Sequence, residues 1–271
     1  MTASIDDKFA GSIPEIYDTY FVPLLFEHYA ADLTARLRSR RVSRILEIAA
    51  GTGAVTRALA AGLPPEASIV ATDLNQAMLD RASSIGTARA VTWRQADATQ
   101  LPFPDGAFDT VVCQFGAMFF PDKAKAFSEV RRVLAPGGVF IFNVWDRIEE
   151  NEFADVVTTA LASVFPADPP RFMARTPHGY YDTRVVAQDL ARGGFTATPQ
   201  IATVDGRSRA ASARIAAIAF CQGTPTRSEI EARDAARLGE ATDAAAAALA
   251  ARFGAGAIDG KMQAHVVVVA R

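Results

Sequence analysis

From Arg44 onward, short apolar runs alternate with segments whose apolar residues recur at helical spacing. RILEIA is followed by TGAVTRALAA, SIVATD by NQAMLDRASS, and then come VTWRQAD and FDTVVCQF. This alternation predicts βαβα units, an α/β fold with a parallel sheet and helices on both faces. In DKAKAFSEVRRVLAPGG, Phe127, Val130, Val133 and Leu134 share one helical face, and Pro136-Gly137-Gly138 predicts the helix stop. VFIFNVWD reads as a fifth strand, apolar enough to be central.

Beyond Asp146 the rhythm changes. VFPADPPRFMARTPHGYYD predicts an irregular connection between short helices, and DTRVVAQDLARGGF a helix with a glycine stop. Two more strands are expected at FTATPQIATVD (195–205) and QAHVVVVAR (263–271), separated by a helical insertion that includes the Ala-rich ATDAAAAALAARFG. Ahead of the first strand, IPEIYDTYFVPLLFEHYAADLTARL clusters Tyr17, Tyr20, Phe21, Leu24, Leu25 and Tyr29. It reads as a helix pair packed on the core, or more sharply as a segment in which Tyr17 and Tyr20 close over a ligand.

Composition narrows the choice of function. A chain of 271 residues, half of them apolar, can bury one good-sized core plus an appendage. With 28 basic against 30 acidic residues it lacks the broad positive surface that draws in phosphate backbones, so nucleic acid is not the expected partner. The first residues lack a signal-peptide pattern, and no apolar run approaches the roughly 18 residues of a membrane span. A cytoplasmic protein is the expectation. Cys113 and Cys221 are far apart, and His28, His178 and His265 are scattered, so neither a disulfide framework nor a metal site is expected.

The most informative stretch is RILEIAAGTGAVTRAL, residues 44–59. A glycine-rich turn after a first strand suits several nucleotide ligands. A P-loop would need a lysine that is missing here, and a dinucleotide turn would have glycine where Thr56 stands. Asp73 lies 20 positions after Gly53, where a carboxylate can grip ribose hydroxyls in either remaining class of cofactor. Glu47, just ahead of the turn, would repel a pyrophosphate and suit a ligand carrying an ammonium or sulfonium charge.

At these residues the chain resembles the class I S-adenosylmethionine-dependent methyltransferases, in particular the type 11 branch that includes quinone-biosynthesis C-methyltransferases. EIAAGTG is similar to that family's (D/E)xGxGxG motif, with Ala49 in place of the first glycine. The ordered run LPFPDGAFDTVVCQFGAMFFPDKAKAFSEVRRVLAPGGVFIFNVWD extends the likeness to Asp146. The resemblance implies a Rossmann-like, seven-stranded, mostly parallel sheet with an antiparallel last strand and helical lid insertions. It implies S-adenosylmethionine as cofactor, held by Glu47, Ala49, Gly51 and Gly53 at the turn and by Asp73 and Leu74 after the second strand. Asp97 and Ala98 would take the adenine, Gln114 and Phe115 the methionine part, and Tyr20 would cover the ligand. The implied organisation is an N-terminal helical segment over 1–40 covering the site, then a methyltransferase domain over 41–271 with insertions near 147–182 and 207–260.

Methyl transfer from a sulfonium is a direct displacement, so positioning matters more than supplied chemistry, and no general base is evident. His178 is a candidate base by its titration range; its plain reading is a solvated loop histidine. Cys113 and Cys221 read as packed residues, and Asn143 and Trp145 as either substrate-side or packing residues. The amino-methylating (N/D/S)PP(Y/F/W) motif is absent after the fourth strand, where QFGAMFF stands, and DPPR at 168–171 reads as a turn. A small acceptor, apolar or aromatic, is expected. A nicotinamide-dependent oxidoreductase and a non-catalytic adenosyl-ligand-binding protein remain alternatives, and the oligomeric state is open, a homodimer included.

Overall fold

The computed structural model describes residues 11–271. Seven strands form one sheet: β1 (Arg44–Glu47), β2 (Ser68–Asp73), β3 (Thr92–Gln95), β4 (Phe108–Gln114), β5 (Leu134–Trp145), β6 (Gln200–Ala210) and β7 (Ile258–Ala270). Their order is β3-β2-β1-β4-β5-β7-β6. The sheet is mostly parallel with an antiparallel last strand. β1 sits centrally, with Ile45 opposite Ile69 on one side and Thr110 on the other. The strand order reverses between β1 and β4, the place where open α/β sheets bind ligands beyond their carboxyl ends.

The chain divides into two compact units. The first comprises Glu27–Val144, Tyr180–Val204 and Ala264–Arg271. On one face of its sheet, Leu33 and Leu37 of helix Glu27–Arg38 and Val55 and Leu59 of helix Ala54–Gly62 bury their i, i+4 stripes against Ile45, Ile69, Val112 and Ile141. Each such side chain, fully buried, contributes roughly 1.5–3 kcal/mol. Helix Lys123–Val133 buries Phe127, Val130 and Val133 as the pattern predicts, and packs against helix Thr183–Arg192. A Cβ on Gly193 would lie 2.6 Å from that of Phe127, so the glycine that stops the second helix also admits the first.

The second unit gathers the described chain up to Phe26, Trp145–Gly179 and Asp205–Gln263. Its helices are Glu152–Val164, Phe172–Arg175, Ala213–Gln222, Thr226–Asp234 and Leu238–Phe253, with a widened π-type stretch Tyr17–Phe26. Ala216, Ala217 and Ala219 on one helix and Ala241 and Ala245 on another are buried where Ala213–Gln222 and Leu238–Phe253 meet, and these small side chains allow close approach. Glu229 accepts from the backbone N–H of Arg171 (2.7 Å) and Phe172 (3.1 Å) and pairs with Arg175 (2.8 Å), which fixes the DPPR turn.

Three expectations are corrected. The N-terminal helix pair is one unbroken helical run from Ile13 to Arg38; Pro23 lacks the N–H of a regular helix, and the run widens around it. The strand expected at 195–205 runs instead from Gln200 to Ala210, and the last strand starts at Ile258 rather than 263. Phe195 N–H closes the preceding helix on Leu190 O, while buried Gly206, Ser208 and Ala210 alternate with exposed Arg207 and Arg209, which pair with Asp259. Small buried residues carry that period, so it does not read as apolar. Pro136-Gly137-Gly138 forms an irregularity inside β5 rather than a helix stop: Phe108 faces Leu134, but Thr110 already faces Val139.

Candidate functional site at the carboxyl ends of the central strands

Glu47 ends β1 and is 1 % exposed. Its Oε2 accepts a 2.6 Å hydrogen bond from Thr56 Oγ1, and no ion pair forms to it among the described residues. Burial pushes its carboxyl up to about 8, opposed by the Thr56 hydrogen bond. The turn that follows is left-handed at Ala49 (φ 54°), Gly51 (56°) and Gly53 (84°). Gly53 is doubly constrained, because a Cβ there would stand 3.1 Å from the Trp93 ring and 3.2 Å from Ala82 Cβ.

Asp73 ends β2 and braces this turn. Its Oδ2 accepts from Gly51 N–H and its Oδ1 from Asn75 N–H, both at 2.8 Å. Burial still raises its pKa, outweighing these backbone bonds. The Asn75 side chain and the Leu74 backbone also hydrogen-bond to Asp73. Leu74, next in the chain, is 48 % exposed, unusual for a leucine at a strand end. After β3, Asp97 Oδ1 accepts from both the N–H (2.8 Å) and the hydroxyl (2.7 Å) of Thr99, beside partly exposed Ala98.

At the end of β4, beyond half-buried Gln114, Phe115 is also left-handed (φ 50°). Asn143 of β5 holds it there, its Oδ1 accepting from Phe115 N–H at 2.9 Å, and Tyr29 packs edge-on at 5.2 Å. Among the described residues Ala49 and Phe115 are the non-glycine positive-φ positions, and they lie at the ends of neighbouring strands. Backbone strain of roughly 1–3 kcal/mol per residue gathers at functional sites. The Thr52 hydroxyl and the Asn143 side-chain N–H₂ are buried here and have no hydrogen-bond partner among the described residues.

Glu47, Ala49, Gly51, Gly53, Asp73, Leu74, Asp97, Ala98, Gln114 and Phe115 thus all lie in the first unit, at strand ends or in the turns after them. Tyr20 and His178 belong to the second. His178 is 4 % exposed, not solvated, and burial pushes its ring down to about 4. Cys113 and Cys221 are buried, each pushed up to about 12 by burial. In the sequence Thr56 stands out only as a missing glycine; its role as Glu47's hydroxyl partner is visible at most as a threonine nine positions after the glutamate. Among the described residues no helix is long and apolar enough to cross a membrane.

Residues 46–142 match a family described as "Methyltransferase domain". Over 166 residues the chain is 33 % identical to a ubiquinone/menaquinone biosynthesis C-methyltransferase, UbiE, of Ectopseudomonas mendocina, covering 56 % of this chain and 65 % of that protein. The chain spans less than two thirds of the length of the curated relatives it matches. Among solved structures, the YcgJ protein from Bacillus subtilis shares the fold at a TM-score of 0.56 and 21 % identity, over 90 % of this chain and 98 % of that one. A SAM-dependent methyltransferase from Thermotoga maritima does so at 0.54 and 14 %, over 98 % of both chains. The match therefore spans the strands that end in Glu47, Asp73 and Gln114, and residues 46–142 carry a methyltransferase domain similar to those of the class I S-adenosylmethionine-dependent enzymes.

Proposed function

We propose that this chain moves a methyl group from S-adenosylmethionine to a small organic acceptor. The observation that carries the reading is Glu47, a fully buried carboxyl group with a hydroxyl partner and no ion pair among the described residues. An ammonium is what such a group lacks, and phosphate is what it would repel. Once bound, the cofactor supplies an electrophilic methyl on sulfur that an in-line nucleophile can displace.

The chain's own part is to bind and orient. Glu47 takes the ammonium, and Asp73, at the end of β2 beside the turn it braces, takes the ribose hydroxyls. The turn at Ala49, Gly51 and Gly53 keeps side chains from crowding the ligand. Asp97 keeps Oδ2 for the adenine amino group while Thr99 fixes Oδ1. Leu74 and Ala98 wall the base, and Gln114 and Phe115 face the methionine part.

The second unit, built from three segments outside residues 46–142, is assigned acceptor recognition, with Tyr20 among its residues. The relatives' printed name, a quinone-biosynthesis C-methyltransferase, supports a small aromatic acceptor. Calorimetry with S-adenosylhomocysteine tests the cofactor assignment. Binding that is weakened by Asp73→Ala is expected, by roughly 1.5–3 kcal/mol for a charge-assisted hydrogen bond. No heat of binding at millimolar ligand overturns the reading.

A further inference from the structure

Phe115 N–H reaches two oxygens of one residue. The backbone carbonyl of Asn143 lies 3.2 Å away, in the manner of a parallel ladder, and the Asn143 side-chain Oδ1 lies nearer, at 2.9 Å. Gln114 is still in register with Asn143, so the left-handed turn at Phe115 (φ 50°) begins where the side chain takes over from the ladder. A bulky residue rarely adopts a positive φ unaided, and such a conformation persists only where its surroundings fix it.

Asn143 itself is 0 % exposed. Among the described residues its Nδ2–H₂ has no hydrogen-bond partner, and the bond from Phe115 N–H to Oδ1 is the one its side chain makes. A buried amide with an unmet donor is destabilising relative to an apolar isostere, so packing alone would favour leucine here. What leucine would lack is the hold on Phe115. The same turn meets the one after β1: Gly116 leaves no room for a Cβ beside Ala49, which is left-handed too. Holding Phe115 therefore sets how the end of β4 meets the cofactor turn.

We infer that Asn143 is the positioning residue for the amino-acid end of the cofactor: through Phe115 it sets affinity for that end and leaves affinity for the nucleoside unchanged. The inference rests on the methyltransferase reading, in which Phe115 faces the methionine part. Ribose and adenine are assigned there to Asp73 and Asp97, which follow β2 and β3, across β1 from the clamp.

The test is calorimetry on the full chain with S-adenosylhomocysteine and with 5′-methylthioadenosine, which has the same nucleoside and sulfur but no amino-acid chain. The unaltered protein is expected to bind the first more tightly. Asn143→Leu should weaken S-adenosylhomocysteine by about five- to tenfold, as for one neutral hydrogen bond that keeps the competent turn populated, and leave 5′-methylthioadenosine within about twofold. Asn143→Asp, which keeps an acceptor at Oδ1, should restore most of the preference. Beside Phe115→Gly the turn needs no hold, so Asn143→Leu should no longer change the ratio. Near-ultraviolet circular dichroism checks each fold, and Asn143→Ala, which removes the same acceptor, is read in the same way if leucine is not accommodated. A purely structural role for Asn143 would weaken both ligands alike or neither. That result, a loss that persists beside Phe115→Gly, or no preference in the unaltered protein overturns the inference. Failure of the unaltered protein to bind either ligand overturns the cofactor assignment and this inference with it; binding of both, with a ratio that Asn143→Leu leaves unmoved, overturns the role of Asn143 alone.

Discussion

At Gly116, just after Phe115, a Cβ would fall inside contact distance of Ala49 Cβ and 2.9 Å from Cys113 Sγ. Gly116→Ala should therefore cost about 1–3 kcal/mol, the range for overpacking a tight site. Ala49 is itself left-handed, where a Cβ costs roughly 1–2 kcal/mol that glycine avoids. Adding Ala49→Gly to Gly116→Ala should thus recover much of the loss, and urea denaturation of the two single variants and the double variant reads that coupling. Strict additivity would mean that the two residues do not share the space.

Glu47 leads to a second expectation. Its folded pKa, about 8, lies above the ordinary 4.5, so between those values the folded chain keeps a proton that the unfolded chain releases. Its contribution to stability therefore falls as pH rises through that window, and Glu47→Gln should flatten the slope. An ammonium ligand favours the carboxylate, so cofactor binding near neutral pH should release up to about one proton. Calorimetry in buffers of different ionisation heat measures the release, and an equal release from Glu47→Gln would exclude this carboxylate as its source. The placement of Glu47 and Asp73 at strand ends beside the turn was legible because residue type and spacing alone mark it. The left-handed backbone at Ala49 and Phe115 was not, since nothing in an alanine or a phenylalanine announces a positive φ.

At the scale of elements, the helices were read more reliably than the strand ends. Lys123–Val133 carries its own signals: an apolar stripe, and Asp122, whose side chain accepts from Lys125 N–H at 2.8 Å as an N-cap. Asp122→Ala should cost about 1 kcal/mol in thermal or urea unfolding, with Asp122→Asn nearly neutral. Equal losses from both would point to charge rather than capping. The start of β5 was hidden because Pro136-Gly137-Gly138 signals a break in any context, and only pairing with β4 turns it into a strand irregularity. The extended ends of β6 and β7 were hidden for a related reason. In β6 the alternation is carried by Gly, Ser and Ala on the buried side and by Arg on the other, in β7 by Ile258, Gly260 and Met262 against Asp259 and Lys261, and the pairing of Arg207 and Arg209 to Asp259 is a tertiary fact.

Across the whole molecule, the residues proposed to hold the cofactor, Tyr20 aside, fall in one of the two units, and that placement can be measured. Hydrogen exchange with S-adenosylhomocysteine should slow amides at 47–56, 73–76, 97–99 and 113–116, because those backbone groups form or brace the proposed site. If the ligand stands at about a hundred times its dissociation constant, global stability should also rise by about 2.7 kcal/mol. The helices Ala213–Gln222 and Leu238–Phe253 should gain only that global protection, visible at their slowest amides, with no local slowing at their ends. Local slowing by S-adenosylhomocysteine centred on Trp145–Gly179 would move cofactor recognition out of the unit that carries Glu47. Because such protection is read without any turnover, pairing it with a methyl-transfer assay would also separate a non-catalytic ligand-binding protein from an enzyme: the first keeps the protection and transfers no methyl group to any acceptor offered.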